Sequence, residues 1–196
     1  MIATIPPRMR RLPRVTVLVA ALACAVLTAG CGNKLETRTQ GATEGLYLDQ
    51  DDLKYQVQIS RYLNPADIED RTYLSGLPPN TPAPAGDETY FGVFMRVSNA
   101  TDKTITPAND FEITDTQGNV YRPIPLDSKV NPFAYEPNPI PPKSMIPQPD
   151  SIASEGVIKQ GALLLFKLKT DSLQNRPLEL RFRKGSGQTD SVDLDV

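Results

Sequence analysis

Hydrophobic and polar residues alternate along much of this chain. Leu53, Tyr55, Val57 and Ile59 alternate with Lys54, Gln56, Gln58 and Ser60. Successive side chains of a strand point to opposite faces, so this period predicts a strand with one face on a core and one in water. Tyr90 to Asn99 predicts a second strand, with Phe91, Val93, Met95 and Val97 on one face and Tyr90, Gly92, Phe94 and Arg96 on the other. Asp110 to Asp115, with Phe111 and Ile113 inward, turns through Thr116-Gln117-Gly118-Asn119 into Val120-Tyr121-Arg122, a hairpin. Glu155 to Ile158 reads as short and extended. Leu163, Leu164, Leu165, Phe166 and Leu168 form a nearly unbroken apolar run within Gly161 to Lys169, which predicts a strand buried on both faces. Leu178, Leu180 and Phe182 alternate with Glu179, Arg181 and Arg183. Val192, Leu194 and Val196 then alternate with Asp193 and Asp195, as on an edge strand.

Between these segments the signals are turns and breakers. Asn64 at a cap position, Pro65 at the first helical position and Asp67 and Glu69 behind them predict a short helical turn. Pro78, Pro79, Pro82 and Pro84 make residues 77–86 an extended loop. From Pro123 to Pro149 there are nine prolines in 27 residues. Each removes a backbone donor, so the segment is neither helix nor central strand and must run over the surface as a long, partly rigid connection. Seven or eight short strands with little helix predict an all-β protein, an antiparallel β-sandwich.

The N-terminus follows different rules. Arg8, Arg10, Arg11 and Arg14 precede an apolar run from Val15 to Leu27, too short to cross ~30 Å of hydrocarbon. Small residues ending in Gly30 lead to Cys31. The arrangement predicts an exported chain whose signal peptide, residues 1–30, is removed at a lipoprotein processing site. Cys31 would then carry the acyl chains that anchor the protein to a membrane. Residues 31–48, polar and without period, read as a flexible tether, leaving 49–196 as one folded domain.

Composition sharpens this. The four arginines of residues 1–30 belong to the 21 basic residues of the chain; without them 17 face 23 acids, a net charge of −6 against −2. An acidic chain with no basic cluster argues against a nucleic-acid partner and leaves membrane attachment to the lipid on Cys31. The chain contains no histidine, and its other cysteine, Cys24, leaves with the signal. Ser-His-Asp and Cys-His sites, His-ligated metals and intramolecular disulfides are therefore excluded. Cofactors are not expected.

Several of these features occur together in one known family. The cysteine and polar tether precede a strand, then Phe91-Gly92-Val93-Phe94-Met95-Arg96-Val97-Ser98-Asn99. Phe111-Glu112-Ile113-Thr114-Asp115 with Gly118 in its turn, and Gly161 to Leu168, come later. The pattern resembles the bacterial lipoproteins with a telokin-like, immunoglobulin-like domain of unknown function. The resemblance implies an extracytoplasmic immunoglobulin-like sandwich and supplies no catalytic residues.

Carboxylates remain as candidate chemistry. Asp49, Asp51 and Asp52 cluster, as do Asp67, Glu69 and Asp70, but both groups sit beside turn signals where acids cap or solubilise. Asp49 to Asp52 could donate oxygens to calcium, yet lacks the glycine and distant glutamate of an EF-hand loop. Asn99-Ala100-Thr101 matches a glycosylation sequon, which carries little weight in a bacterial lipoprotein. Tyr62, Tyr73, Tyr121, Phe133 and Tyr135 gather around the loops. Phe133 and Tyr135, within the proline-rich segment, are candidates for an interaction loop or for pinning that loop onto the sandwich. The reading that results is a non-enzymatic, membrane-anchored module that binds another protein or an envelope component. A lipid-anchored binder of a small solute, and behind it a carboxylate-based hydrolase, are the alternatives.

Overall fold

The computed structural model describes residues 37–154 and 160–195. The expected signal peptide, Cys31, the start of the tether, the stretch Glu155–Ile158 and Val196 lie outside the described residues. Ten strands are described: β1 (Gln40–Gly41), β2 (Tyr47–Gln50), β3 (Leu53–Leu63), β4 (Glu88–Asn99), β5 (Asp110–Thr114), β6 (Val120–Tyr121), β7 (Met145–Ile146), β8 (Ala162–Lys169), β9 (Leu178–Arg183) and β10 (Asp190–Leu194). One helix, α1 (Ile68–Tyr73), follows β3, and a 3-10 turn, Thr170–Leu173, follows β8.

The strands form two five-stranded sheets, the all-β sandwich that the alternation predicts. Sheet A runs β1-β10-β9-β5-β6 and is antiparallel except for the short parallel pairing of β1 with β10. In sheet B, β2, β3 and β4 are antiparallel neighbours, and the far edge of β4 is divided. β8 pairs with Glu88–Met95 and β7 with Val97–Ser98. Gly161 stands where β8 begins, at φ +106, and a Cβ there would lie 2.7 Å from the Met95 carbonyl oxygen. Only glycine fits so close an approach.

Between the sheets, Tyr55, Phe91, Val93, Met95, Phe166 and Leu168 of sheet B meet Phe111, Ile113, Leu180, Phe182 and Val192 of sheet A in one buried core. The outer face of sheet B is not in water. Leu63, Tyr90, Phe94, Leu163 and Leu165 form a second buried cluster there, covered by Tyr73, Leu74 and Leu77 after β3 and by Ile124, Leu126 and Phe133 of the proline-rich segment. That third layer is why β4 and β8 carry apolar residues on both faces.

Four expectations are corrected. The tether, expected over 31–48, overlaps the fold: β1 pairs with Ser191 and Val192, and β2 alternates with Leu48 and Gln50 buried. The tether's polarity hid strands too short to show a period, and they raise the strand count above seven or eight. β10 is therefore not a free edge, because β1 lies beside it. The helix is capped by Asp67 rather than Asn64: the Asp67 side chain accepts the Glu69 and Asp70 N–H groups at 2.8 and 3.3 Å. Ile59 does not share a face with Val57. The β3–β4 register shifts between them, placing Val57 opposite Met95 and Ile59 opposite Phe94, so Ile59 packs on the outer cluster. A bulge inserts one residue and moves every later side chain to the other face.

Candidate functional site

The proline-rich segment 123–149 is an ordered strap along the exposed edge of β8. The Ile124 N–H donates to the Leu165 carbonyl at 2.6 Å and the Tyr135 N–H to the Leu163 carbonyl at 2.9 Å, while the Leu163 N–H donates to Phe133 at 2.6 Å. These bonds occupy an edge that would otherwise present free donors and acceptors. Farther along, Ile140 and Ile105 exchange N–H···O bonds of 2.8 and 3.1 Å, and β7 joins β4.

Side chains fix the strap's path. Asn131 is wholly buried; its Nδ2 donates to the Tyr73 and Ser75 carbonyls at 2.9 and 3.0 Å, and its Oδ1 accepts the Phe133 N–H at 2.9 Å. Asn99 does the same at the other end. Its Nδ2 donates to the carbonyls of Lys103, Ile140 and Pro141, which consumes the amide that glycosylation would need. The Tyr135 hydroxyl donates to the Ala108 carbonyl at 2.9 Å, and the Ala108 N–H donates to the Tyr55 hydroxyl at 2.8 Å. Burial pushes both tyrosine hydroxyls well above their ordinary pKa, so both stay neutral.

Phe133 and Tyr135 are thus half-buried pins. The Phe133 ring meets Tyr73 edge-on at 4.8 Å, and Tyr73 meets Phe94 at 5.0 Å. The Arg61 guanidinium lies 5.5 Å from the Tyr73 ring centre and pairs with Asp70 at 2.7 Å. Tyr135 meets Phe111 at 5.1 Å. An interaction loop displaying these two rings is corrected: both face inward, because their apolar area is buried against sheet and helix.

What the strap does leave open is a row of recesses. A cleft of about 160 Å³ lies at the mouth of the sandwich, between Phe111 of β5 and Leu163–Leu165 of β8, walled by Pro123, Pro125 and Pro137. Pro125 and Leu126 also line a neighbouring open trough of about 530 Å³ over Leu77, Pro78, Pro79 and Val130. Through Ala134 the cleft meets a third recess of about 210 Å³ beside Ile146 and Pro147. The lining of the cleft and the trough is mainly apolar, and Glu136, Asn138, Gln148 and Ser151 make the third recess mixed.

The acidic clusters do not converge. Asp49 pairs with Lys54 at 2.6 Å, and Asp70 with Arg61. Asp51 and Asp52, at φ 50 and 65, are the two central residues of the β2–β3 hairpin turn. Among the described residues, no three of His, Cys, Asp and Glu are grouped to hold a metal ion. One acid escaped sequence reasoning: Asp190 is 0% exposed at the start of β10, and its Oδ2 has no hydrogen-bond partner among the described residues. Its phase was the available signal: it stands two residues before Val192 and four before Leu194, on the buried face of that strand.

The fold and strap define a class, a two-sheet β-sandwich with a proline-rich third layer. No protein-family model matches the chain, and no curated protein matches it. Among solved structures it is similar to an uncharacterized beta-sandwich protein from Clostridium difficile 630, at 12% identity and a TM-score of 0.46, over 84% of this chain and 99% of that one. It is also similar to the yjhA protein from Bacillus subtilis, at 9% identity and a TM-score of 0.46, over 79% of this chain and 99% of that one. Neither match assigns a role to any residue.

Proposed function

We propose that this chain is a lipid-anchored, extracytoplasmic binding module without catalytic activity, and that it takes an extended segment of another envelope protein along the proline-walled cleft. The observation that carries this reading is the adjacency of the three recesses: the cleft shares Pro125 and Leu126 with the trough and Ala134 with the third recess. A row of shallow, largely apolar recesses between proline walls suits an extended chain, whose side chains can seat in successive recesses. A small solute is better served by a pocket of roughly 300–1,000 Å³ that encloses it. The cleft and the third recess are smaller than that, and the trough lies open. Anchorage through Cys31, and the lipoprotein family that the sequence resembles, belong to the same proposal.

The test is site-specific photocrosslinking in intact cells, with the crosslinker at Val130 or Pro137 on the track and at Arg181 on the opposite sheet. Discrete adducts are expected from the first two positions and not from the third. No adduct at the track, or the same adducts from both faces, defeats the binding reading. Intact mass of the membrane form beside a Cys31→Ser variant tests the anchor: a mass gain matching acylation should vanish in the variant.

A further inference from the structure

One wall of the cleft is not fully bonded. β5 pairs with β9 along its whole length, Asp110–Thr114, but with β6 only at Ile113 and Thr114. Among the described residues no strand stands beside Asp110–Glu112 on the β6 side. The reason is in the sequence. The β5–β6 register sets Ile113 opposite Tyr121, so Pro123 falls opposite Phe111. Proline has no N–H to give the ladder, and pairing stops before it. The chain crosses the mouth of the sandwich instead, where the Ile124 N–H donates to the Leu165 carbonyl of the other sheet at 2.6 Å.

This ending leaves a donor and an acceptor behind. Successive residues of a strand direct their backbone groups to alternate edges. The Asp115 N–H donates to the Asn119 carbonyl across the hairpin at 3.1 Å, which points the N–H and C=O of Ile113, and then of Phe111, to that same edge. Those of Ile113 meet Tyr121. Those of Phe111 have no hydrogen-bond partner on that edge among the described residues. Phe111 is 3% exposed, and it lines the cleft together with Asn109 and Pro123. Buried backbone groups left unpaired are rare, because each gives up its water without replacement.

We propose, on the strength of the binding reading above, that the bound segment joins sheet A as an antiparallel strand beside β5, where β6 leaves off. One of its residues exchanges two N–H···O bonds with Phe111. The side chain of that residue shares the inward face of the Phe111 ring and enters the cleft against Ile124, Tyr135 and Leu163. No charged side chain lines the cleft, so the entering residue is apolar. Its two neighbours face the outer side, where Arg122 already pairs with Asp110 and Glu112, and need no charge. A second copy of this chain does not fit the edge. Two β5 edges in antiparallel register would set Asp110 against Glu112, acid on acid, and the ring that would have to enter the cleft is packed in its own core.

The probe is an acetylated, amidated pentapeptide with leucine at its centre and threonine and then serine on either side. Amide exchange of the full chain, followed by NMR, reads the edge directly. Without peptide, Phe111 should exchange about tenfold faster than Ile113, the difference that one hydrogen bond makes. At millimolar peptide, Phe111 protection should rise by about the same factor. Methylating the leucine nitrogen removes the donor to the Phe111 carbonyl, and glycine in place of leucine leaves the cleft empty; either change should abolish the rise. Ala134→Leu, which narrows the cleft from the strap side, should abolish it too while leaving Ile113 unchanged. The strand pairing is overturned if Phe111 is already as protected as Ile113 in the free chain. It is equally overturned if the parent peptide leaves Phe111 unmoved, or if the methylated peptide acts like the parent. In-cell adducts at Val130 and Pro137 alongside any of these results would keep the binding reading and remove the strand pairing alone.

Discussion

The outer faces of the two sheets solve the same problem in opposite ways. On sheet B, Phe94, Leu163 and Leu165 are buried under the strap and α1. On sheet A, the corresponding side of β5, β6 and β9 carries an ionic ladder. Arg183 and Arg122 share Asp110, Arg122 also meets Glu112 at 3.0 Å, and Arg181 meets Glu179 at 2.6 Å. One face is stabilised by removing apolar area from water; the other stays in water and is stabilised little. The difference teaches where function can be built: the strapped face has proline-walled recesses of about 160–530 Å³, and the ionic face has a recess of only about 20 Å³ between Asp110, Glu112, Arg181 and Arg183.

The sharpest way to break the contrast is to hollow the strapped face. Phe94 touches Tyr73 and lies under the strap. Phe94→Ala should cost about 3–5 kcal/mol, read as a fall in the urea midpoint. Asn131→Ala should come next, at about 1–3 kcal/mol, because it strands the half-buried Tyr73 and Ser75 carbonyls and the Phe133 N–H. Removing either should also release protection at Tyr135 and Ile124, the strap's backbone donors to β8. An unchanged midpoint in both would mean the third layer adds nothing to stability.

Much of this was legible in the alternation. Phe111 and Ile113, and Leu178, Leu180 and Phe182, alternate with charged or polar residues because sheet A has one wet face. The run Leu163 to Leu168 does not alternate, and the strap explains why. What could not be read was anything depending on long-range registry. The parallel pairing of Gln40–Gly41 with β10 joins residues some 150 positions apart and leaves no local signal. The bulge at Val57–Ile59 is invisible in a string whose apolar spacing is unbroken. Phe133 and Tyr135 were visible as candidates, but their inward direction is set by Asn131 and by the Ala108 carbonyl, which no spacing reveals.

A middle-sized effect separates the two faces by pH. The strap is pinned by Asn131, which is neutral. The β5–β6 hairpin is pinned by Asp115, which accepts the Gln117 and Asn119 N–H groups at 2.9 Å each and the side-chain amides of Asn119 and Asn175 at 2.8 and 3.2 Å. Burial works to raise the Asp115 pKa, but these hydrogen bonds prevail and hold it far below the usual carboxylate range. A depressed folded pKa contributes stability above the unfolded value, ~3.9, that is lost as pH falls below it. Below pH 4, amide protection at Gln117 and Asn119 should therefore fall while Phe133 keeps its protection. Equal losses at both places would show that the two pins are not independent.

The smallest expected effect concerns the ladder itself. Partial burial works to raise the Asp110 pKa, and Arg183 and Arg122 overcome it, holding the carboxyl somewhat below its ordinary range. The side chains involved are all substantially exposed. Exposed ion pairs are screened and lose side-chain entropy, so their coupling is typically 0.2–1 kcal/mol. A double-mutant cycle of Asp110→Asn with Arg183→Met should give a coupling in that range that disappears in 1 M salt, where the screening length is about 3 Å. The matching cycle on the strapped face, Tyr73→Leu with Phe133→Leu, removes an edge-on ring pair worth ~0.5–1.5 kcal/mol that ions do not screen. Salt should therefore erase one coupling and spare the other. If salt erased both, the contact between Tyr73 and Phe133 would depend on the Arg61 cation beside it rather than on the rings.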